Sequence, residues 1–385
     1  MDDGPPLNAT PRCLRIWLVE PYATGSHGAW VEGYRAHSRH QVVPFTLPGR
    51  FWKWRMHGGA VTLARRALAS GETPDVILAT DMLDLTTFLA LTRERCHHVP
   101  VALYFHENQL TYPLPPGQKR DLHYGFIHFA SALTAQRLFF NSAYHLEAFF
   151  DELPRLLKHF PDYNELHEVE RLRARSKVLP LGLDLKRLDA CRPATRWEGR
   201  PLILWNHRWE YDKDPETFFR ALYALVAEGL DFGLILLGES FRQKPQEFLE
   251  ARERLGDRIV RFGYAQSFEE YARFLWQADV VVSTALHDFF GAATVEAVYC
   301  ECFPILPRRL AYPEWVPRAW HGEVFYTSFE ELLALLRRRI LEIETTRRLS
   351  LREAVAHLDW DLMAPRYDQA MEELAGQGGP GEPAA

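Results

Sequence analysis

Two carboxylates, Asp288 and Glu296, lie eight positions apart in the stretch HDFFGAATVEA. An apolar run, ADVVVST at 278–284, precedes them and is typical of a buried strand. Between them, Gly291 marks a turn into a helix, whose first backbone N–H groups favour phosphate. Asp288 would accept hydrogen bonds from sugar hydroxyls ahead of this turn. Glu296, further along the helix, would bind both hydroxyls of a ribose.

Two cations follow the strand-like run PLILWNH at 201–207. Arg208 and Lys213 are five residues apart in HRWEYDKDPE, and the sequence around them suggests no cage of acidic metal ligands. Such a pair suits a diphosphate that no magnesium ion neutralises. The alternative is a solvated charge cluster with the neighbouring acidic residues. Together with the carboxylate pair, these cations indicate a nucleotide-sugar held in one cleft without a metal.

The first half of the chain places polar groups in similar positions. His106, Glu107 and Asn108 lie at the end of the strand-like run at 99–107, in FHENQLTYP. Hydrogen-bonding side chains directly after a buried strand predict a pocket at the strand's end, with His106 above it. The alternative for His106 is a cap or a satisfied core histidine.

A third turn, YATGSHG, follows the first strand-like run at 14–21. Gly25, Ser26 and His27 open a helix there, and the free N–H groups suit an anion or a sugar hydroxyl. The spacing matches neither the dinucleotide fingerprint nor the P-loop. A tight strand-to-helix turn explains the pattern equally well.

Strands and helices must position these turns, and the pattern of apolar residues predicts two series of strands. Near-continuous apolar runs separated by helical stretches predict α/β domains with parallel sheets covered on both faces. The runs are 14–21, 74–80, 99–107, 136–142 and 176–182, then 201–207, 232–239, 257–264, 278–284 and 302–307. Helices are predicted at 27–37, 58–70 and 124–134.

The two series predict two doubly wound domains that face a central cleft. The predicted boundaries are 12–190 and 195–345, followed by a helical segment at 346–375 and a disordered tail at 376–385. Ligands of such sheets bind at the carboxyl ends of the strands. All of the turns described above therefore meet at the cleft.

Length, charge and composition indicate a globular protein and argue against a membrane-spanning one. The chain has 385 residues, a net charge of −6 and 47% apolar residues, which is typical of a globular protein with room for two cores. No apolar run reaches the roughly 18 residues of a membrane-spanning helix, and the acidic, Pro-rich start is unlike a signal peptide. The five cysteines form no CxxC pair, so Cys300 and Cys302 are expected to be buried thiols rather than zinc ligands. A reduced cytoplasm fits this pattern.

One segment combines cations with aromatic rings. In LPGRFWKWRMHGG, Arg50, Lys53 and Arg55 alternate with Phe51, Trp52 and Trp54, and Lys119, Arg120 and His123 could extend the patch. Cations for phosphates and aromatic faces for unstacked bases are the ingredients of single-stranded RNA recognition. The alternative is that Trp52 and Trp54 are core anchors and the cations are solvated.

Whole blocks of the chain resemble the tRNA-queuosine α-mannosyltransferases, a family of retaining GT-B glycosyltransferases. The blocks cover most of 18–150 and 205–315: EPYATGSH, TLPGRFWKWR, YFHENQLTYP, FFNSAYHLEAF, HRWEYDKDPETFF, LGESF, FFGAATVEAVYCECFPILP and AYPE. HENQLTYP with HRWEYDKDPE is specific in combination, whereas the paired acids eight apart are common to a superfamily. Asp288 departs from the glutamate usual in that pair, which leaves the identity of the sugar open.

The resemblance implies transfer of mannose from GDP-mannose to queuosine in the anticodon loop of a tRNA, with tRNA-Asp as the expected carrier. It implies front-side attack with retention, no cofactor, and His106 and Asp288 at the reacting centre. On the donor side it implies Arg208 and Lys213 at the diphosphate, Gly291 and Ala292 as N–H donors, Glu296 at the ribose, and Gly263 and Tyr264 beside the base. The acceptor side would comprise Gly25, Ser26, His27, Glu107, Asn108, Arg50, Trp52, Lys53, Trp54 and Arg55.

Two other functions fit parts of the sequence. A GT-B enzyme could use another nucleotide-sugar, or a lipid or polysaccharide acceptor, but the chain has no convincing basic amphipathic helix near its start. A catalytically inactive RNA-binding protein could share the scaffold. The intact set of Arg208, Lys213 and Glu296 argues against it.

Overall fold

The computed structural model describes residues 12–114, 117–238 and 245–377. Most of the predicted tail at 376–385, from residue 378 onward, lies outside the described residues, as do the last three residues of the LGESF block.

Two parallel six-stranded sheets organise the chain. The first contains β1 (Arg15–Ala23), β2 (Gln41–Pro48), β3 (Val76–Thr80), β4 (Val101–Phe105), β5 (Arg137–Phe140) and β6 (Ser176–Val178), in the order β2-β1-β3-β4-β5-β6. The second contains β7 (Leu202–Trp205), β8 (Gly233–Leu236), β9 (Ile259–Phe262), β10 (Val280–Val282), β11 (Phe303–Pro307) and β12 (Phe325–Tyr326), in the order β12-β11-β10-β7-β8-β9. Both orders are doubly wound, which confirms the predicted α/β class.

Helices connect the strands and cover the sheets. Those of the first half are α1 (Gly25–His37), α2 (Trp52–Ala69), α3 (Leu85–Cys96), α4 (Leu122–Thr134), α5 (Ala143–Leu157), α6 (Glu168–Ala174) and α7 (Leu185–Asp189). Those of the second half are α8 (Pro215–Ala227), α9 (Gln246–Leu255), α10 (Phe268–Gln277), α11 (Ala292–Tyr299), α12 (Tyr312–Trp315), α13 (His321–Val324), α14 (Phe329–Leu341), α15 (Ile343–Thr346), α16 (Arg352–Ala356) and α17 (Trp360–Gln377). Short 3₁₀ turns occur at Tyr211–Lys213, Gly256–Arg258 and Arg318–Trp320.

The sequence pattern missed strand β2. Its sequence QVVPFTLP contains Pro44, which cannot donate to a sheet ladder and therefore argues against a strand. The structure accommodates Pro44 because β2 is the edge strand and pairs only with β1. The two-residue strand β12 was also missed, since it is too short to carry a pattern.

Helix α2 begins earlier than predicted. It starts at Trp52 rather than at residue 58, so most of the basic-aromatic segment is helical. Gly58 and Gly59 lower helix propensity and obscured this start. Gly59 is required by packing, because a Cβ atom there would lie 2.8 Å from Cβ of Pro21.

The chain crosses between the two sheets twice. A parallel bridge joins Leu183 to Asp359 where the two crossings run side by side. Helix α17 then returns to the first half, where the Trp30 indole donates to the Tyr367 hydroxyl at 3.0 Å. The last helix is thereby part of the packing around β4 and α1.

The interior is apolar and contains free thiols. All five cysteines are free, and Cys300 and Cys302 are buried, where burial raises the pKa of both thiols. Within the described ranges, no helix combines the length and the apolarity that a bilayer crossing requires.

Candidate functional site

The predicted residues gather where the strand orders reverse. In the first sheet this point lies between β1 and β3, and in the second between β7 and β10. His27 lies in the first turn of α1, after β1, and Arg208 and Asp288 lie in the loops after β7 and β10. His106 follows the next strand of the first sheet, β4. Ligands of doubly wound sheets bind at such points.

His106 lies at the end of β4 in a cage of aromatic rings. Its backbone N–H donates to Asp81 Oδ1 at 2.8 Å. Its ring lies 4.6 Å from the Trp30 ring, 4.8 Å from that of Tyr104 and 4.3 Å from that of His27. Burial, with a smaller contribution from His27, holds the pKa of His106 well below its usual range, so the ring is neutral. His106 Nε2 is buried and has no hydrogen-bond partner in the described part of the chain.

A buried carboxylate that sequence reasoning missed lies next to His106. Glu20, within β1, accepts a hydrogen bond from the Tyr22 N–H at 2.6 Å, and its Oε2 lies 2.9 Å from His27 Nδ1. Burial would lower the pKa of His27, but Glu20, aided by Asp81 and Glu107, raises it to about 9. His27 is therefore a cation at neutral pH. In the sequence, Glu20 is marked only by its position as an acidic residue near the end of the apolar run at 14–21.

Asp81 is the second carboxylate that was missed. It is 1% exposed, and burial raises its pKa well above the usual range despite the nearby His27. Glu20, His27 and His106 each offer one potential ligand atom within 4.8 Å of the others. The described residues thus contain a group with metal-ligand spacing on the acceptor side, away from the expected diphosphate cations.

The remaining predicted acceptor residues differ in exposure. Gly25 and Ser26 are exposed at the start of α1, where Gly25 has a φ of 52°. Glu107 is half-buried and accepts from Gln109 Nε2 at 2.9 Å. Asn108 is fully buried, and its Oδ1 accepts from the Leu110 and Thr111 N–H groups, so its side chain stabilises the turn after β4.

The predicted diphosphate cations lie across the cleft, on the second half. Arg208 is half-exposed, and its guanidinium donates to the Tyr112 hydroxyl at 3.2 Å. Burial favours a lower pKa for Arg208, but Tyr112, Glu210 and Asp212 together raise it. Lys213 is largely buried and donates to the His287 carbonyl at 2.6 Å.

Lys213 joins the cation loop to the carboxylate loop. Its Nζ lies 3.3 Å from Asp212 Oδ2 and 3.6 Å from Asp288 Oδ2. Burial opposes ionisation of Asp288, but Lys213 and His207 hold the pKa of that carboxyl below its usual value. Asp288 is consequently a carboxylate at neutral pH.

Asp288 also shapes the turn that starts α11. Its Oδ1 accepts from the Gly291 N–H at 2.8 Å and from the Phe290 N–H at 3.3 Å, and its Oδ2 accepts from the Tyr312 hydroxyl at 3.3 Å. Gly291 has a φ of 87°, and a Cβ atom there would lie 2.7 Å from the Tyr312 ring. The turn therefore requires glycine, and Ala292 follows as the first helical residue.

Glu296 lies on α11 beside the predicted ribose position. The Tyr271 hydroxyl donates to its Oε2 at 2.7 Å, and burial raises its pKa. Gly263 and Tyr264 follow β9 near the same edge of the sheet. Gly263 has a φ of 112° with nothing near its Cβ position, and Tyr264 is 70% exposed.

The basic-aromatic segment presents most of its side chains to solvent. Trp54 is 64% exposed and Phe51 is 72% exposed, so the core interpretation fails for Trp54. Trp52 is half-buried against the Tyr124 ring at 4.9 Å, and Lys53 lies over both rings.

The cations around this segment are not equally free. Arg50 is exposed, whereas Arg55 is half-buried and donates through Nε to the Pro48 carbonyl at 3.0 Å. Lys119 and His123 are exposed, whereas Arg120 is half-buried and donates to the Gln109 and Tyr112 carbonyls. Arg120 therefore holds the loop after β4, and the free patch is smaller than the sequence suggested.

Comparison with known proteins gives two family matches that divide the chain. The family model described as the N-terminal part of tRNA-queuosine alpha-mannosyltransferase matches residues 15–183. The model described as glycosyl transferases group 1 matches residues 190–356.

Curated relatives include mannosyltransferases from several organisms. The chain is 34% identical over 316 residues to the tRNA-queuosine alpha-mannosyltransferase of Drosophila melanogaster, covering 79% of this chain and 82% of that protein. A GDP-mannose-dependent alpha-(1-6)-phosphatidylinositol dimannoside mannosyltransferase of Mycobacterium tuberculosis is 30% identical over 154 residues, covering 38% of this chain and 39% of that protein.

Solved structures share the fold at low identity. A sucrose-phosphate synthase from Thermosynechococcus elongatus superimposes with a TM-score of 0.67 at 17% identity, over 95% of this chain and all of that one. A UDP-forming trehalose-phosphate synthase from Burkholderia xenovorans gives a TM-score of 0.64 at 15% identity, over 94% and 99% of the two chains. These neighbours establish the GT-B fold. The chain is a glycosyltransferase and belongs to the tRNA-queuosine α-mannosyltransferase family.

Proposed function

We propose that this protein transfers mannose from GDP-mannose to queuosine in a tRNA anticodon loop, with retention of the anomeric configuration. The observation that supports it is the ion pair of Lys213 with Asp288 at the strand-order reversal of the second sheet, together with the neutral His106 at the end of β4 in the first sheet. The family of the chain supplies the acceptor class. The Mycobacterium relative and one from Xanthomonas oryzae carry GDP-mannose in their names, which supports this donor.

On the donor side, cationic side chains bind the negatively charged diphosphate of the nucleotide-sugar. Arg208 and Lys213 neutralise the diphosphate, and the Ala292 N–H at the start of α11 donates to it, whereas the Gly291 N–H is already used by Asp288 Oδ1. Glu296 binds the ribose hydroxyls. Gly263 leaves open space for a flat base beside Tyr264.

In the reaction, the bond between the mannose anomeric carbon and the diphosphate oxygen breaks as a bond to the acceptor hydroxyl forms on the same face. The departing phosphate oxygen takes the proton of that hydroxyl, so GDP leaves with the proton. Arg208 and Lys213 stabilise the charge that develops on the diphosphate. Asp288 accepts hydrogen bonds from hydroxyls of the sugar, and the neutral His106 lies near the sugar at the reacting centre.

The acceptor side is formed by the first half of the chain. Gly25, Ser26, His27 and Glu107 line the pocket for the cyclopentenediol, with Asn108 forming the turn below. The cations and rings of the exposed segment, Arg50, Trp52, Lys53, Trp54 and Arg55, hold the anticodon loop. We propose tRNA-Asp as the carrier and the cytoplasm as the location.

A transfer assay with matched tRNAs tests this proposal. Purified protein is incubated with labelled GDP-mannose and tRNA-Asp that carries queuosine, and the control is the same tRNA with guanosine at that position. We expect label only on the queuosine-containing tRNA. Equal labelling of both tRNAs, or label only from another nucleotide-sugar, would contradict the acceptor or the donor respectively.

A further inference from the structure

The loop after β5 connects the two faces of the cleft. Asn141 Nδ2 donates to the His106 carbonyl at 2.9 Å, and Asn141 Oδ1 lies 2.9 Å from His145 Nδ1. All three residues are buried. Asn141 therefore ties the backbone of the predicted reacting-centre histidine to the first turn of α5.

The same turn contacts the donor loop of the second half. The His145 ring stacks on the Phe289 ring with a centroid distance of 3.8 Å and an interplanar angle of 21°. The Ser142 hydroxyl donates to the Phe289 carbonyl at 2.6 Å. Because Phe289 directly follows Asp288, its backbone and side chain are both held beside the predicted sugar-binding carboxylate.

A third contact comes from helix α12 of the second half. The Glu314 carboxylate accepts from the Ala143 N–H at 2.8 Å and from the Tyr144 N–H at 2.7 Å. These are orphan donors at the start of α5, and a carboxylate there also suits the helix dipole. The acid belongs to one half of the chain and the helix to the other.

We infer that Asn141, Ser142, His145, Phe289 and Glu314 form an interdomain brace that sets the position of His106 relative to Asp288. Among the described residues, no hydrogen bond joins His106 directly to Asp288. The His106 carbonyl accepts from Asn141, and Asp288 is the chain neighbour of Phe289, so each adjoins a residue of the brace. All five are positioning residues, and none is assigned a contact with substrate. The brace gives the FFNSAYH and AYPE blocks a positioning role, although they carry no predicted catalytic group.

The physical consequence is a dependence of turnover on this interface. Misplacing reacting groups by about 1 Å can cost on the order of 100-fold in rate. Stacked rings and hydrogen bonds tolerate only small displacements before they weaken. Loosening the brace should therefore lower kcat while leaving binding of free nucleotide, a property of the second half alone, unchanged.

Glu314→Ala tests this without removing a buried side chain, because Glu314 is exposed. Its matched control is Glu331→Ala, which removes an acid that accepts from the Thr327 N–H at the start of α14, within one half of the chain. We expect Glu314→Ala to lower kcat about tenfold at saturating substrates, and Glu331→Ala to leave kcat unchanged. Free GDP should bind both variants with wild-type affinity, and Glu314→Gln, which keeps one accepting oxygen, should lose less than Glu314→Ala.

A second measurement does not depend on activity, although the kinetic test rests on the proposed function. Hydrogen exchange of the donor loop at 287–291 should accelerate in Glu314→Ala and in Ser142→Ala, but not in Glu331→Ala. If exchange changes only in the first turn of α5 and kcat is retained, Glu314 is a local cap and the brace is wrong. If the wild type transfers no sugar, the proposed function fails, and unchanged donor-loop exchange in both variants would separately overturn the brace.

Discussion

At the residue scale, Lys213 contacts two carboxylates through one ammonium group. Its Nζ lies within 4 Å of both Asp212 and Asp288, so one ammonium group faces two carboxylates and the cluster keeps an excess of negative charge before any donor binds. A diphosphate adds negative charge to this cluster, and Arg208 is the additional cation that offsets it. The two cations therefore act as a pair.

Replacing either cation should reduce catalysis strongly. Arg208→Ala or Lys213→Ala removes a charge-assisted contact worth roughly 2–4 kcal/mol in the transition state, which corresponds to about 10²–10³ in rate. Steady-state kinetics and calorimetry with GDP measure the effect. Wild-type rates and unchanged GDP affinity in either variant would show that the diphosphate lies elsewhere, and activity in EDTA should persist because the cations replace a metal.

Asp288 and Glu296 should differ in the step that they affect. Asp288→Asn should reduce turnover more than it reduces affinity for GDP, because the proposed role of this carboxylate is contact with sugar hydroxyls. Glu296→Ala should weaken GDP binding itself, because this carboxylate is assigned to the ribose. Calorimetry with GDP and with GDP-mannose separates the two, and equal losses for both ligands in both variants would refute the assignment.

The ion pair of His27 and Glu20 predicts a pH-dependent contribution to stability. The pKa of His27 is about 9 in the folded protein, against 6.5 for an unperturbed histidine. A raised pKa stabilises the fold fully below 6.5, and this contribution disappears as the pH rises toward 9. By linkage it amounts to on the order of 3 kcal/mol.

Urea unfolding at pH 6 and at pH 9.5 measures this contribution. The wild type should lose more stability between the two pH values than His27→Gln does. Equal losses would mean that His27 carries no raised pKa.

At the element scale, near-continuous apolar runs separated by helical stretches predicted ten of the strands. Such runs are a sufficient signal because the strands of a covered parallel sheet are mostly apolar on both faces. The pattern failed at β2, where edge position rather than composition permits Pro44, and at the start of α2, where packing requires Gly59. It singled out His106, Arg208 and Asp288 as candidates because each follows a strand. Glu20 and Asp81 were missed, since a single buried acid at a strand end has no spacing to recognise.

Replacing the cations around the start of helix α2 should affect tRNA binding and leave GDP binding unchanged. Replacing Arg50 and Lys53 together should weaken tRNA binding and flatten its dependence on salt, because each phosphate contact releases counterions. Binding of GDP should be unaffected. Titrations of tRNA at several salt concentrations measure this, and an unchanged affinity and slope would place the RNA elsewhere.

The two tryptophans of α2 separate packing from stacking. Trp54→Ala should weaken tRNA binding by roughly 1–3 kcal/mol with little change in melting temperature, because the ring is exposed and free to stack on a base. Trp52→Ala should lower the melting temperature, because the ring packs on Tyr124. A Trp54→Ala variant that binds tRNA normally would leave this ring without a role.

At the scale of the whole molecule, the first half carries His106 and the proposed acceptor pocket, and the second half carries the proposed donor cations. The chain crosses between them at Leu183 and Asp359, and α17 returns to pack on α1. In the proposed site, neither half is complete on its own. We therefore expect the reacting centre to depend on contacts between the halves as well as on the residues within each.

Mass spectrometry of nucleosides from digested tRNA tests the proposed activity most directly. Queuosine-containing tRNA-Asp is incubated with the wild-type protein and GDP-mannose, and separately with Lys213→Ala under the same conditions. We predict that queuosine gains the mass of one hexose in the wild-type reaction, with strongly reduced conversion in the variant. Queuosine that stays unmodified with folded wild-type protein and every nucleotide-sugar tried, or a hexose found on a different nucleoside, would contradict the proposed function.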